Sequence, residues 1–337
     1  MPALPYRRIV LSAGFVFLLA GCGIQQVQPK TSPGATPATA PTTPPVPTVT
    51  VSGGSVAATV DGAKIPMSIF KAFLHSALHQ ERLNPTQITP PRQLAKSTIE
   101  SLIQNQLILN AAARRGIVAS PAAVHREVQS FIRQSRGKKA FALRLKQLGL
   151  PQKVVPYIAR INVLGSKLRS KVAPLSSTGP VATARQILIM PAPTVSACPH
   201  KRLSSAQAHV FARRLVSEIS SGKSFAQLAR KCSDDRSSLG GSAQHGGMQQ
   251  NPAVPGSTLL YPTGGFVPNF EKAVFSGPVN KLQLIHSRFG YHIVQVLSRR
   301  TGKYPPGVAA QVQAATFSTW LAHQRAQAKT HILESVK

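Results

Sequence analysis

Apolar and polar positions over residues 56–173 recur mainly at helical spacing. Val56-Ala57-Ala58-Thr59-Val60-Asp61-Gly62 alternates and then turns, which predicts a strand. Ile65-Pro66-Met67-Ser68 then leads into a helix with Ile69, Phe70, Phe73, Leu74, Ala77 and Leu78 on one face. A second helix carries Leu94, Ile99, Leu102, Ile103, Leu107 and Ile108. A third opens at Ser120-Pro121, a cap followed by proline at the first helical position, and turns Val124, Val128, Phe131 and Ile132 inward. Further helices are predicted near Lys139–Leu148, stopped by Gly149, and from Pro151 to Val172.

Ala173-Pro174-Leu175-Ser176-Ser177-Thr178-Gly179-Pro180 reads as a linker into a second, mixed region. Its expected order is a strand at Ala184–Met190, a helix from Ser204 to Gly222, and a helix capped by Ser224 running into Cys232-Ser233-Asp234-Asp235. A helix over Phe266–Phe275 and strands at Leu282–His286 and Tyr291–Ser298 follow. Residues 306–335, with Val308, Val312, Phe317, Trp320, Leu321, Ile332 and Leu333, predict one more helix. The fold class expected is α+β.

The N-terminal segment follows a different pattern. Arg7 and Arg8 precede an apolar run from Ile9 to Ala20 that closes on Leu19-Ala20-Gly21-Cys22. Such a run is too short for a helix spanning a ~30 Å hydrocarbon core, and its flanks are those of a secretory signal. The segment resembles a bacterial lipoprotein signal peptide over residues 1–21, which implies cleavage before Cys22 and lipidation of its thiol. The alternative is a secretory signal with an incidental cysteine. Residues 22–55 are rich in Pro and Thr, with Lys30 as the only charge, and predict a tether reaching on the order of 100 Å when extended.

Charge changes the picture more than length does. Forty Lys and Arg against nine Asp and Glu give a net +31. Such a field attracts polyanions, but the export signal conflicts with nucleic acid. It leaves anionic lipid headgroups, acidic wall polymers, acidic unfolded clients, adaptation to acid, or a bias of composition without a partner. Besides Cys22 the cysteines are Cys198 and Cys232, a candidate disulfide in an oxidising compartment. Cys198-Pro199-His200 lacks the second ligand pair that zinc needs, and His75, His79 and His125 read as helix-surface residues. No metal site is expected.

Phe289-Gly290-Tyr291-His292-Ile293-Val294-Gln295-Val296 and the segment Phe266–Phe275 resemble the parvulin (PpiC-type) prolyl isomerases over residues 182–300. The resemblance implies a four-stranded antiparallel sheet with surrounding helices, and cis/trans isomerisation of X-Pro bonds without a cofactor. It also implies a proline pocket with Phe266 and Phe270, an electrostatic role for Asp235, and a supporting network with His292 and the hydroxyl of Ser287. Two departures stand out. Gln186 occupies the place of a second histidine, and the family's Gly-Gly-Asp-Leu-Gly segment is matched by either Gly240-Gly241 or Gly246-Gly247, followed by an insertion over Asn251–Pro262.

Thr59-Val60-Asp61-Gly62-Ala63-Lys64-Ile65 and Leu102-Ile103-Gln104-Asn105-Gln106-Leu107-Ile108 resemble the N-terminal chaperone domain of the SurA and PrsA folding factors. That implies a chaperone domain over 56–173, with helix 306–335 packed on it. The function implied is a foldase for exported polypeptides, lipid-anchored at the extracytoplasmic face, at the cell surface or in the periplasm. The alternatives are a holdase whose parvulin fold binds chains without turnover, and a basic adhesin or polyanion binder.

Overall fold

The computed structural model describes residues 56–83, 89–191, 198, 203–236, 241–252, 254 and 256–333. The expected signal segment, Cys22 and the tether lie outside the described residues. The chain divides into two compact units, residues 1–171 with 320–337, and residues 172–319.

In chain order the elements are β1 (Val56–Val60), β2 (Ala63–Pro66), α1 (Met67–Leu83), α2 (Pro91–Arg114), α3 (Pro121–Gln134), α4 (Lys138–Gln147) and α5 (Val155–Val172). Then come β3 (Thr178–Ile189), α6 (Ser205–Ser220), α7 (Phe225–Cys232), α8 (Pro268–Ser276), β4 (Leu282–Ser287), β5 (Gly290–Lys303), α9 (Val308–Gln327) and β6 (Thr330–Ile332).

Among the described residues of the first unit, two clusters carry much of the packing. Phe70, Ile99, Leu102, Ile103 and Leu107 join α1 and α2 to the small sheet β2-β1-β6, while Phe131, Phe141, Leu145, Val155 and Ala159 hold α3, α4 and α5 together. Ser120 starts α3 as expected, its hydroxyl accepting from the Ala123 N–H at 3.2 Å. The C-terminal end of α4 leaves carbonyls without helical partners. Side chains of α1 satisfy them: His75 Nδ1 donates to Gly149 O, Ser76 Oγ to Leu148 O and Gln80 Nε2 to Gln147 O. Gly149 closes the turn with φ +64°, and a Cβ there would lie 2.8 Å from the Cβ of His79.

The C-terminal segment is not one helix over 306–335. Helix α9 stops at Gln327, and Thr330–Ile332 pairs antiparallel with β1. The β-branched Thr330 and Ile332 suit a strand, and backbone bonds from Asp61 N to Lys329 O and from Leu333 N to Ala57 O extend the pairing at both ends. From Trp320 onward the chain belongs to the first unit, where Leu321 packs on the main core and Arg325 pairs with Glu100 at 3.1 Å.

In the second unit, β3 and β4 flank β5 in an antiparallel sheet of order β3-β5-β4. Strand β3 begins at Thr178, so the segment read as a linker up to Pro180 is partly sheet, paired Thr178↔Lys303 through Pro180↔Thr301. The expected fourth strand is reduced, among the described residues, to isolated bridges of Arg185 with Met248 and Ala182 with Leu260. Between them Asn251 ties off a loop, its N–H donating to Ser257 O at 2.8 Å and its Nδ2 to Leu259 O at 2.6 Å. It is Leu260, beyond this loop, that takes up the pairing with Ala182.

Candidate functional site

Strand alternation places Gln186, His292 and Ser287 on one face of the second sheet. His292 lies opposite Leu188 on β3 and Ile285 on β4, so Gln186 and Ser287, each two residues from those partners, project to the same side as His292. Asp235 reaches them from the end of α7. There the Leu188 N–H donates to Ser233 Oγ at 3.0 Å, Asp234 N donates to Leu188 O at 2.8 Å, and Met190 N donates to Asp234 Oδ2 at 2.9 Å. This ladder along β3 delivers the next residue, Asp235, to Gln186.

Gln186 is the hub. Its Nε2 donates to Asp235 Oδ2 at 2.9 Å and to Gln249 Oε1 at 2.7 Å, and its Oε1 faces His292 Nδ1 at 2.8 Å. Two acceptors around Nε2 fix the amide orientation, and Gln249 is fixed in turn because its Nε2 donates to the Gln250 carbonyl at 3.3 Å. An amide oxygen only accepts, so the His292 proton is on Nδ1. The Nε2 lone pair then accepts from Ser287 Oγ at 2.7 Å, and Ser287 Oγ accepts from the Phe289 N–H at 3.1 Å. Each proton in this chain has one position.

Burial lowers the His292 pKa from 6.5 to about 4, with the charge of Asp235 opposing and His286 adding to the shift. The ring is neutral near pH 7. Asp235 Oδ2 also accepts from the Ser242 N–H at 3.0 Å and Ser242 Oγ at 2.6 Å, so a half-buried carboxylate is held by three donors.

Phe270, fully buried on α8, stands 6.1 Å centre to centre from His292 and 5.1 Å from Phe266, which is half-buried just before the helix. Phe275 packs in the core beside Phe270. An aromatic wall thus adjoins a hydrogen-bonded polar cluster in which the His292 ring is neutral and Asp235 carries the charge.

The structure brings Gln186, Asp235, His292, Ser287, Phe266 and Phe270 together, and Cys22 lies outside the described residues. Of the two glycine pairs, Gly240 is also outside them, whereas Gly246 and Gly247 have φ +64° and +90°. Gly247 O accepts from Gln186 N at 2.8 Å, and a Cβ on Gly247 would sit 2.7 Å from the Phe225 ring. Only a glycine permits this approach. Gln249 and Ser242 are the members that sequence reasoning missed. The signal for Gln249 was its place: counted from Gly246, it stands where the Gly-Gly-Asp-Leu-Gly pattern has Leu, opposite the Gln186 departure.

Cys198 and Cys232 are disulfide-bonded, with Cα atoms 4.8 Å apart and both residues buried against Ile187, Leu215 and Phe225. The bond fastens the residue that immediately precedes Ser233-Asp234-Asp235. Among the described residues no three His, Cys, Asp or Glu gather as a metal site.

Comparison with known proteins matches residues 170–300 to the PPIC-type PPIase domain and residues 46–155 to the SurA-like N-terminal domain. The chaperone SurA of Chromohalobacter salexigens is 40% identical over 95 residues, 28% of this chain and 19% of that protein. A parvulin-like PPIase of Rickettsia felis is 33% identical over 102 residues, 30% of this chain and 33% of that protein. The chain therefore matches no more than about a third of the length of these relatives. Among solved structures, the peptidylprolyl isomerase PrsA of Bacillus anthracis aligns with 17% identity and a TM-score of 0.38 over 68% of this chain and 96% of that one.

Proposed function

We propose that this chain, which joins a SurA-like N-terminal domain to a PPIC-type PPIase domain, is a foldase that isomerises X-Pro bonds in exported polypeptides while its helical unit holds the unfolded client. On this reading Cys22 carries lipid and residues 22–55 tether the folded units at the extracytoplasmic face. Among the described residues no helix is long and apolar enough to cross a membrane.

The observation that carries the isomerase reading is the closed hydrogen-bond chain from Asp235 through Gln186 and His292 to Ser287, set beside Phe266 and Phe270. Twisting the X-Pro bond breaks amide resonance against a barrier of about 18–20 kcal/mol. No covalent step is required. Phe266 and Phe270 hold the proline ring and exclude water from the imide. The cluster supplies fixed dipoles that favour the twisted carbonyl and the pyramidal nitrogen over the planar ground state. Gln186 orients His292 in one tautomer, and the Asp235 carboxylate sets the potential beside it.

A specific observation also favours a holdase. With Gln186 at the hub no proton passes between two histidines, so a mechanism that needs such a transfer leaves a binding fold without turnover. Exchange spectroscopy on Xaa-Pro peptides separates the two readings. The full chain accelerates cis/trans exchange, Phe266→Ala weakens peptide binding, and Ser287→Ala lowers the rate with the fold intact. Exchange at the uncatalysed rate from folded protein refutes the isomerase and leaves the holdase.

A further inference from the structure

The nine carboxylates are unevenly placed. None occurs between Glu127 and Glu218, yet residues 128–171 carry eleven Lys and Arg. Those residues build most of the α3–α4–α5 module. Its one carboxylate, Glu127, already accepts from Asn162 Nδ2 at 3.3 Å. Ordinary solvated helix faces mix both signs; here Glu127 is the single counter-charge to eleven cations.

Six of the eleven, Arg133, Arg136, Lys138, Lys139, Arg144 and Lys146, lie along the α3–α4 hairpin. Arg133, Arg136, Lys138, Lys139 and Lys146 are all exposed. The hairpin tip is fixed from beneath, since Phe131 and Phe141 meet 6.5 Å apart in the core and Arg136 and Gly137 turn through φ +64° and +117°. Backbone bonds from Arg136 N to Arg133 O and from Gly137 N to Ile132 O close that turn. On α4, Phe141 and Leu145 face inward, while Lys139, Leu143 and Lys146 fall at i, i+4 and i+7 on the outer face. Leu143 is 56% exposed, with Ala140 and Ala142 exposed near it. The fold gains little from a leucine there.

We propose that the α3–α4 hairpin docks on an anionic lipid surface, its basic side chains on headgroup phosphates and Leu143 between the headgroups. The argument for lipid over a soluble polyanion is the exposed leucine inside the lysine row, because long basic side chains and a short apolar contact together fit an interface. Nucleic acid fits less well, since the hairpin's phenylalanine rings, Phe131 and Phe141, are buried and offer no stacking platform. The choice of lipid also rests on the proposed N-terminal anchor. A lipid chain and a basic patch together give firmer attachment than either alone, and the same contact would bring the client-holding unit to the exit surface of an exported chain.

The test compares the full chain on vesicles of phosphatidylcholine alone with vesicles containing one third phosphatidylglycerol. The N-terminal apolar segment acts in both, so the ratio of affinities isolates the anionic preference. At roughly fivefold per basic residue, the triple variant Lys138→Gln, Lys139→Gln, Lys146→Gln lowers that ratio by about a hundredfold at low salt. Leu143→Ser weakens binding without changing its salt dependence. Unchanged melting by circular dichroism shows that these exposed substitutions leave the fold intact, and prolyl exchange, which uses none of these residues, reports separately on the foldase reading. An unchanged ratio in the triple variant overturns the hairpin assignment. Equal binding to soluble polyphosphate with no effect of Leu143→Ser overturns lipid in favour of an acidic polymer.

Discussion

The neutral, buried state of His292 makes a quantitative demand on stability. Its pKa is about 4 in the folded chain against an ordinary 6.5, with burial the leading cause. Between those values the unfolded chain takes up the proton more readily, so stability is complete above pH 6.5 and is lost as pH falls toward 4. Linkage gives a loss of about 2 kcal/mol at pH 5 and about 3 kcal/mol at pH 4 from this one ring. For a unit of this size that is a fall of roughly 6 °C in Tm by pH 5. His292→Gln keeps a hydrogen-bonding amide and removes the titration. The assay is thermal unfolding of wild type and variant at pH 7, 6, 5 and 4, following the transition of the second unit. Subtracting the variant's curve cancels contributions from all other groups, and the difference must fall with pH by the amounts above. Parallel curves, or an NMR titration of the His292 ring near 6.5, refute the reasoning and with it the neutral His292 ring.

Three further outcomes are expected. Gln186→Leu strands the Nδ1 proton of His292, lowers stability by about 1–3 kcal/mol in urea unfolding, and slows prolyl exchange. Gly149→Ala forces a side chain into left-handed backbone against His79, costing about 1–2 kcal/mol or more in the transition of the first unit and little in the second. Reducing the Cys198–Cys232 bond, whose sequence separation is 34, destabilises the second unit by about 4 kcal/mol on the chain-entropy model, measured as a shift in urea midpoint on adding a reductant.

Much of this architecture was legible because its signals are local. The caps at Ser120, Ser204 and Ser224 each bond the backbone three residues on, and the faces of α1, α2 and α3 follow the 3.6-residue period. What stayed hidden depends on distant partners. Thr330–Ile332 continues an amphipathic run and becomes a strand only because β1 offers an edge. The interrupted edge along β3 depends on Asn251 closing its own loop. In the site, Gln186 was visible as a departure, but its consequence required Gln249. An amide in place of an imidazole is ambiguous until acceptors are found for its nitrogen, and one of them lies 63 residues away.

The pairing of β6 with β1 bears on the order of assembly. The second unit is closed on itself, since its first strand pairs with its last across Thr178↔Lys303. The sheet of the first unit stays incomplete until Ile332 meets Ala58. A chain emerging from its N-terminus therefore exposes β1, α1 and α2 first and completes them late, after the inserted unit has the means to fold. Once the second unit has folded, its entry and exit strands are joined and the loop that β6 must close is shorter. The half proposed to hold clients is thus the one whose own sheet is completed by the last described strand of the chain.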